Sequence, residues 1–265
     1  MRRLIACLIL LSLLSGCTNA DLVRFLATPI APAPANTIDP ALASRNRLLV
    51  QGADGNLFTI SPDGTTRFDL TTDAGRTRAY TQATWSSSGE RIGWTVLEQT
   101  AAGLQSTLIT SRADGSERTQ AETLFPPFYL YWSPDDSKLA YLSNWLGEQG
   151  QTIALQLVNI AGGGDEAITI GTGQPLYFSW APTSEKLITH AANQRVALVT
   201  LGRDDVQVLT EASANFAAPQ WSTTGEQLLF VTAEETVPQL VLTDVNGENP
   251  QLITNLSRED AISLA

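Results

Sequence analysis

One stretch of the chain reads Trp132-Ser-Pro-Asp-Asp-Ser-Lys-Leu139, and three close variants of it occur elsewhere. Those variants are Trp85-Ser-Ser-Ser-Gly-Glu-Arg-Ile92, Trp180-Ala-Pro-Thr-Ser-Glu-Lys-Leu187 and Trp221-Ser-Thr-Thr-Gly-Glu-Gln-Leu228. The four tryptophans are separated by 47, 48 and 41 residues. A period of this length is typical of repeat architectures, in which each repeat is one supersecondary unit.

Each repeat predicts two β-hairpins. After the tryptophan comes a short turn, and then apolar residues two positions apart, such as Leu139 and Tyr141, which is strand periodicity. A second hairpin follows, and its turn often carries Asp-Gly or Asn-Gly, as at Asp114 and Asn246. These pairs tolerate the positive φ angles that tight hairpin turns require. Two hairpins per repeat predict an all-β propeller built from four-stranded antiparallel blades.

The number of blades depends on the two ends of the repeat region. Four complete blades are predicted to begin near residues 81, 128, 177 and 218. The first segment supplies only three strands, at residues 47–52, 56–61 and 66–71. Pairing of residues 261–265 with these strands gives a five-bladed β-propeller whose first blade is closed by the C-terminal strand, leaving no open inner edge. The alternative is a shortened reading frame, because residues 261–265 also look like the lead-in to another repeat; we favour closure.

The N-terminus predicts export and anchoring. Residues 1–16 combine a basic start with a short apolar run, as in a secretory signal peptide, and the run is too short for a permanent membrane span. The ending Leu14-Ser-Gly-Cys17 resembles the bacterial lipobox, which implies cleavage before Cys17 and diacylation of its thiol. The alternative is an ordinary signal peptide with an incidental cysteine. Residues 17–45 are then a Pro- and Ala-rich tether, and residues 46–265 form the propeller.

Composition excludes several classes of function. The formal net charge is −11, which argues against nucleic acid and against anionic membrane surfaces as partners. The chain has two cysteines, of which Cys7 leaves with the signal peptide and Cys17 is used for the lipid, so the exported domain has no disulfide. With His190 as the single histidine, a histidine-based metal site is excluded, and we expect no cofactor.

The repeat phrase, together with second hairpins that end in Leu-Thr or Leu-Ile-Thr, resembles the repeats of TolB-type β-propellers. The resemblance covers residues 47–265. Related repeats also form the propeller of prolyl-oligopeptidase-like enzymes, whose second domain carries a serine in Gly-x-Ser-x-Gly, and that pattern is absent from this sequence. The resemblance therefore implies a fold and leaves the function open, because propellers carry many unrelated activities.

We expect no catalytic residue. Five-bladed propellers can be glycosidases that work with paired carboxylates. The resemblance implies that such acids would lie largely on the innermost strands. The innermost strands predicted here contain no Asp or Glu. Aspartates gather instead at turns, where hairpin chemistry explains them more simply than calcium does. The alternative from another class is an envelope hydrolase, acting on carbohydrate, that uses loop carboxylates.

The loops at one end of the blades predict a binding face. Its candidate residues are Arg76, Arg78, Phe125, Phe128, Trp145, His190 and Phe216. Trp145 lies outside the repeat phrase, and tryptophan and arginine often anchor interfaces. The alternatives are that the aromatic side chains plug the mouth of the central funnel, and that His190 is a strand-end residue with no role in chemistry.

These expectations describe a binding or scaffolding module of the cell envelope. Its expected partner is an envelope protein or peptide, and its contact with the membrane is the lipid on Cys17. The expected location is extracytoplasmic, on the outer face of the plasma membrane, or on the outer membrane where a host has two membranes.

Overall fold

β-strands account for all the regular structure of the described chain. The computed structural model describes residues 46–147, 150–160, 167–192, 194–203, 206–212, 218–234 and 237–257. These residues form nineteen strands and no helix, and they belong to the unit Asp39–Ala265, one of two compact units of the chain. No helix in this part of the chain is long and apolar enough to span a membrane.

The strands form five antiparallel sheets, which we call blades, and within each blade they follow chain order. Blade 1 contains β1 (Leu48–Gln51), β2 (Leu57–Ile60) and β3 (Arg67–Asp69). Blade 2 contains β4 (Arg78–Trp85), β5 (Arg91–Thr100), β6 (Gly103–Arg112) and β7 (Thr119–Thr123). Blade 3 contains β8 (Pro127–Trp132), β9 (Lys138–Gly147), β10 (Gly150–Asn159) and β11 (Ile168–Gly173). Blade 4 contains β12 (Leu176–Trp180), β13 (Lys186–Ala191), β14 (Arg195–Thr200) and β15 (Val206–Thr210). Blade 5 contains β16 (Gln220–Trp221), β17 (Gln227–Glu234), β18 (Val237–Asp244) and β19 (Gln251–Asn255).

This arrangement confirms the predicted all-β class and the four-stranded repeat. Blades 2 to 5 have four strands each, and blade 1 has the three that the sequence supplies. Within the described residues β1 pairs with β2 alone, and no sheet closes on itself. Residues 261–265, predicted to complete blade 1, lie outside the described residues, so closure by the C-terminal strand stays a prediction.

The hydrophobic core lies between consecutive blades. Each of its four clusters takes residues from two neighbouring blades, and apolar area buried in this way is the main favourable term in folding. The cluster between blades 2 and 3 includes Leu108 and Ala121 on one side and Leu130, Trp132 and Tyr141 on the other. The blades therefore pack face to face, and the alternation of side chains along each strand decides which neighbour a residue contacts.

The repeat tryptophan of blade 3 packs against the preceding blade at a glycine. Trp132 is 5% exposed, and a Cβ added to Gly93 of β5 would lie 3.2 Å from Trp132 Cζ2 and 3.3 Å from Leu139 Cδ1. Any larger residue at position 93 crowds the ring, because close-packed interiors have little free volume. A glycine in β5 thus allows the two blades to approach closely.

The turns after the innermost strands also connect consecutive blades. In the turn of blade 2, Ser86 Oγ donates a hydrogen bond to Asp136 Oδ2 of blade 3 (2.8 Å), and the Ser88 backbone N–H donates to Asp136 Oδ1 (3.2 Å). The Asp135 backbone N–H donates in turn to Ser184 Oγ in the matching turn of blade 4 (3.0 Å). The recurring phrase therefore forms a hairpin turn and also joins that turn to its neighbours.

Replacing Trp132 tests the packing between blades. We expect Trp132→Ala to lower the free energy of unfolding by about 3–5 kcal/mol, because it opens a cavity between blades 2 and 3, and Trp132→Phe to cost less. Tyr131→Ala is the matched control, since Tyr131 is adjacent in sequence but 52% exposed, and we expect it to cost about 1 kcal/mol or less. Urea unfolding measures all three; equal losses for Trp132→Ala and Tyr131→Ala would contradict this account of the core.

Candidate functional site

Exposed aromatic side chains concentrate on two innermost strands. Within the described residues five aromatic side chains are exposed: Phe68, Phe128 (40%), Tyr129 (44%), Tyr131 (52%) and Tyr177 (38%). Four of these five belong to β8 or β12, the innermost strands of blades 3 and 4. Exposed aromatic surface of this kind is a common property of binding sites.

Three aromatic rings meet between blades 3 and 4, and we call Tyr129, Tyr131 and Phe178 the inner aromatic cluster. The rings of Tyr129 and Tyr131 are stacked, with centroids 4.9 Å apart and an interplanar angle of 29°. Phe178 meets both rings edge-on, at 6.1 and 6.2 Å. Stacked and edge-to-face pairs are the favoured aromatic geometries, so the three rings support one another while the tyrosines stay accessible.

Strand alternation explains how β8 presents this cluster. Leu130 and Trp132 are buried against blade 2, and the residues that alternate with them, Tyr129 and Tyr131, therefore point to the opposite side of the strand. The pairing of β8 with β9 shifts register between Pro127 and Tyr129. Such an irregularity changes the direction of a side chain, and here Phe128 and Tyr129 are both exposed.

Tyr129 is held in its neutral form. A hydrogen bond with Tyr131 raises the pKa of Tyr129 to about 12, and burial and the neighbouring phenols of Tyr131 and Tyr177 act in the same direction. A phenol is neutral when protonated and negatively charged when ionised. The raised pKa keeps Tyr129 protonated, and so uncharged, at neutral and mildly alkaline pH. The cluster therefore offers aromatic faces and the neutral hydroxyl group of Tyr129.

Carboxylates are missing from the four innermost strands that the structure describes. The strands β4, β8, β12 and β16, as the structure describes them, contain no Asp or Glu. A glycosidase places two carboxyl groups on either side of the scissile bond. The described innermost strands supply neither.

Four of the turn aspartates are engaged within their own turns. Asp63, Asp114, Asp135 and Asp244 each accept a hydrogen bond from the backbone N–H two residues further on, at 3.1, 2.9, 3.0 and 2.9 Å. Burial raises the pKa of Asp135, but hydrogen bonds from Ser133 and Ser137 outweigh it and lower the pKa to about 2. Within the described ranges no three His, Cys, Asp or Glu side chains are grouped so that they could hold a metal ion.

Two of the predicted binding residues meet. Phe125, in the connection from blade 2 to blade 3, and Trp145, near the end of β9, form an edge-to-face pair with centroids 5.5 Å apart and an interplanar angle of 67°. Trp145 also lines a groove of about 760 Å³ between blades 2 and 3. Phe128 lies on β8 beside the inner aromatic cluster.

The predicted arginines form a separate site. Arg78 is held by Asp73 (3.2 Å), by Glu98 (3.0 Å) and by the Tyr80 hydroxyl group (3.0 Å), while Arg76 is exposed in the preceding turn. None of the contacts described for Arg78 involves the aromatic residues of blade 3. Arg78 Nε and Nη1 are therefore engaged by residues of blade 2 and of the turn before it.

The structure corrects the predicted binding face at His190, which is buried. The residue is 1% exposed and lies inside β13, where it is paired in register with Tyr177 on one side and Val196 on the other. Four consecutive residues of β13 are buried, because blades 3 and 5 cover both of its faces. Phe216 and Cys17 lie outside the described residues, and nothing tests them here.

The inner aromatic cluster was missed at the level of sequence. The signal available in the sequence is the alternation Tyr129-Leu130-Tyr131-Trp132. If Trp132 packs on the preceding blade, the two tyrosines must face the next one. Phe178 could not be placed in the same way, because its partners belong to another blade.

Comparison with solved structures agrees with the β-propeller fold. No family model matches the sequence, and neither does any curated protein. Among solved structures the chain is similar to an oligogalacturonate lyase in complex with manganese (TM-score 0.51, 13% identity, covering 80% of this chain and 64% of that one). It is also similar to the oligogalacturonate lyase of Vibrio parahaemolyticus (0.50, 14%, 80% and 63%) and to TolB of Acinetobacter baumannii (0.38, 10%, 77% and 62%).

These similarities concern the fold alone. The chain spans less than two thirds of the length of each of these three structures. At this level the predicted β-propeller fold is confirmed, and the chain is a β-propeller of about five blades. At such low identity, activities of the other proteins do not transfer to this one.

Proposed function

We propose that this protein is a lipid-anchored, extracytoplasmic β-propeller that binds an envelope protein or peptide through its inner aromatic cluster. The observation that carries the proposal is the concentration of exposed aromatic residues on β8 and β12, where four of the five described examples lie. Tyrosine and phenylalanine are enriched in the cores of interfaces, while charged residues are depleted there.

The geometry of the cluster favours recognition without a large conformational change. Tyr129, Tyr131 and Phe178 already contact one another, so little side-chain freedom is lost when a partner binds. The tyrosine hydroxyl groups can hydrogen-bond while the rings supply apolar area, a combination that suits a peptide with an apolar side chain and free backbone groups.

The proposal contains no catalytic step. The described innermost strands lack carboxylates, and Asp63, Asp114, Asp135 and Asp244 hydrogen-bond within their own turns, while Asp136 bonds to the turn of blade 2. A hydrolase acting on carbohydrate through loop carboxylates is the competing reading, and it predicts turnover of a glycan by the purified protein.

The location rests on the lipobox-like ending Leu14-Ser-Gly-Cys17. Cleavage before Cys17 and attachment of two or three acyl chains hold a protein stably at a membrane, whereas one chain holds it only marginally. The tether, residues 17–45, then separates the propeller from the bilayer.

The ring is proposed to close through residues 261–265. Their pairing with β1 gives blade 1 its fourth strand and covers the inner edge that β1 leaves unpaired within the described residues. This completes a propeller of five four-stranded blades.

Proline substitutions test the closure. Consecutive residues of an edge strand alternate between donating to the neighbouring strand and pointing away from it, so one of Ile262→Pro and Ser263→Pro should be costly and the other tolerated. We expect the costly variant to lower Tm by roughly 5 °C, the shift that a loss of about 2 kcal/mol produces at this size. Ser263→Thr is the control; closure is wrong if both proline variants unfold at the temperature of the control.

Acyl labelling tests the anchor. In bacterial cells fed a palmitate analogue, we expect the wild-type chain to carry the label and Cys17→Ser to lose it and keep residues 1–16, because the thiol is the proposed site of acylation. Cys7→Ser is a matched control, since Cys7 is the other cysteine of the chain and belongs to the removed segment. Equal labelling of both variants would rule out the lipid anchor at Cys17.

Cross-linking in intact cells tests the binding role. After capture of the full-length chain, we expect a stoichiometric envelope protein that falls at least about tenfold in Tyr131→Ala, as for an anchor residue of an interface. Ile253→Ala is the control, because Ile253 is apolar and equally exposed (51%) but lies on the outermost strand β19.

Two results would contradict the binding role. One is capture of the same protein in equal amount by Tyr131→Ala and by wild type. The other is capture of bulk wall material alone, together with glycan hydrolysis by the purified chain, which would support the hydrolase.

A further inference from the structure

A groove separates the outer parts of blades 2 and 3, and it is distinct from the inner aromatic cluster between blades 3 and 4. Its volume is about 760 Å³, within the range of about 300–1,000 Å³ that is usual for small-molecule sites. On the blade 2 side it is bounded by Thr123 and Leu124, and on the blade 3 side by Trp145, Gln156 and Thr169. We call it the inter-blade groove.

Trp145 supplies the aromatic wall of the inter-blade groove. It lies on the same side of β9 as Leu139 and Tyr141, which are buried in the cluster between blades 2 and 3. At position 145 this row of side chains leaves the core, so the indole is only half-buried. Contact with Phe125 restrains the ring. The groove thus has a positioned aromatic surface at its mouth.

Gln156 supplies hydrogen-bonding capacity inside the groove. Its side chain is 2% exposed. Ser143 Oγ donates to Gln156 Oε1 at 3.3 Å, and Gln156 Nε2 donates to Thr169 Oγ1 at 3.5 Å, so both bonds are long. An amide has two donors and two acceptor lone pairs, and a buried amide is normally well satisfied. The capacity that remains is available to a molecule in the groove, whichever way the amide is turned.

The groove is close to uncharged. Among its described lining residues there is no lysine, arginine or histidine, and Glu122 is the single acid. Glu122 is exposed between buried Ala121 and Thr123, so alternation places its side chain on the other side of β7. Among the lining residues that the structure describes, an anionic ligand has no counter-charge and a cationic one has no carboxylate directed at it.

We propose that the inter-blade groove binds a neutral saccharide. Sugar rings have apolar C–H faces, which pack on an aromatic side chain such as Trp145. Their rows of hydroxyl groups donate and accept at once, which matches the amide of Gln156 and the hydroxyl group of Thr169. The site binds and orients the sugar without altering it, and it operates whether or not the inner aromatic cluster binds a protein.

Titration with small sugars tests the groove. The full-length chain, purified in a detergent without a sugar headgroup, is titrated in a calorimeter with cellobiose, maltose and N,N′-diacetylchitobiose. Trigalacturonate and choline serve as anionic and cationic comparisons. We expect at least one neutral disaccharide to bind, and Trp145→Ala to weaken its binding at least about tenfold.

Four further variants separate the groove from the rest of the molecule. Gln156→Leu should weaken binding of the same sugar, and Thr169→Val, at an exposed position, should do so without loss of stability, so that it decides the question if the buried change at Gln156 lowers Tm. Leu146→Ala should bind the sugar as wild type does, because Leu146 is 72% exposed on the opposite side of β9. Tyr131→Ala should also bind normally, since Tyr131 belongs to the inner aromatic cluster.

Three outcomes would overturn the assignment. They are binding of none of the neutral disaccharides, sugar binding that Trp145→Ala leaves unchanged, and tighter binding of trigalacturonate or choline than of any neutral sugar. Each is independent of the cross-linking result, because that experiment depends on Tyr131 and this one on Trp145.

Discussion

Face-to-face packing of each blade on the next is the constraint on which the rest of this structure depends. A single four-stranded sheet has two faces and cannot bury either one alone, so each strand must alternate between contacts with two neighbours. The repeat tryptophan, the aliphatic residue seven positions later and the small residue at position 93 all serve this packing. Hydrogen bonds between the turns, such as those of Asp136, keep consecutive blades in register.

Both surfaces that we connect with binding follow from the same alternation. Where an innermost strand carries large residues on both sides, one set is buried and the other is left at the edge of the next interface, as with Tyr129 and Tyr131 on β8. Where a row of buried residues on β9 extends beyond the core, its last member is Trp145. The two proposed recognition surfaces thus lie at the inner and outer ends of interfaces whose middle parts stabilise the fold.

The repeat made most of the fold predictable from sequence. A tryptophan at fixed intervals and Asp-Gly or Asn-Gly turns placed the strands of blades 2 to 5 and the three strands of blade 1, since these signals are local. The site was less accessible. Trp145 stood out because it broke the repeat, and it does contact Phe125. His190 was misplaced, because a polar residue near a strand end was expected at the surface, whereas neighbouring blades cover both faces of β13. The stacking of Tyr129 on Tyr131 against Phe178 depends on register and on a second blade, which no local pattern encodes.

The linkage between turns has a consequence for assembly. Each blade offers the next one a surface different from the surface that it receives, which makes the contact head-to-tail, and head-to-tail contacts either close into a ring or continue without limit. Blade 1 and blade 5 are the two ends of the described series, and exposed Leu48 and Leu252 lie on them. The same chemistry that joins blades within one chain would therefore join one chain to another wherever those two ends fail to meet. Ring closure in such a protein protects against polymerisation as much as it completes a fold.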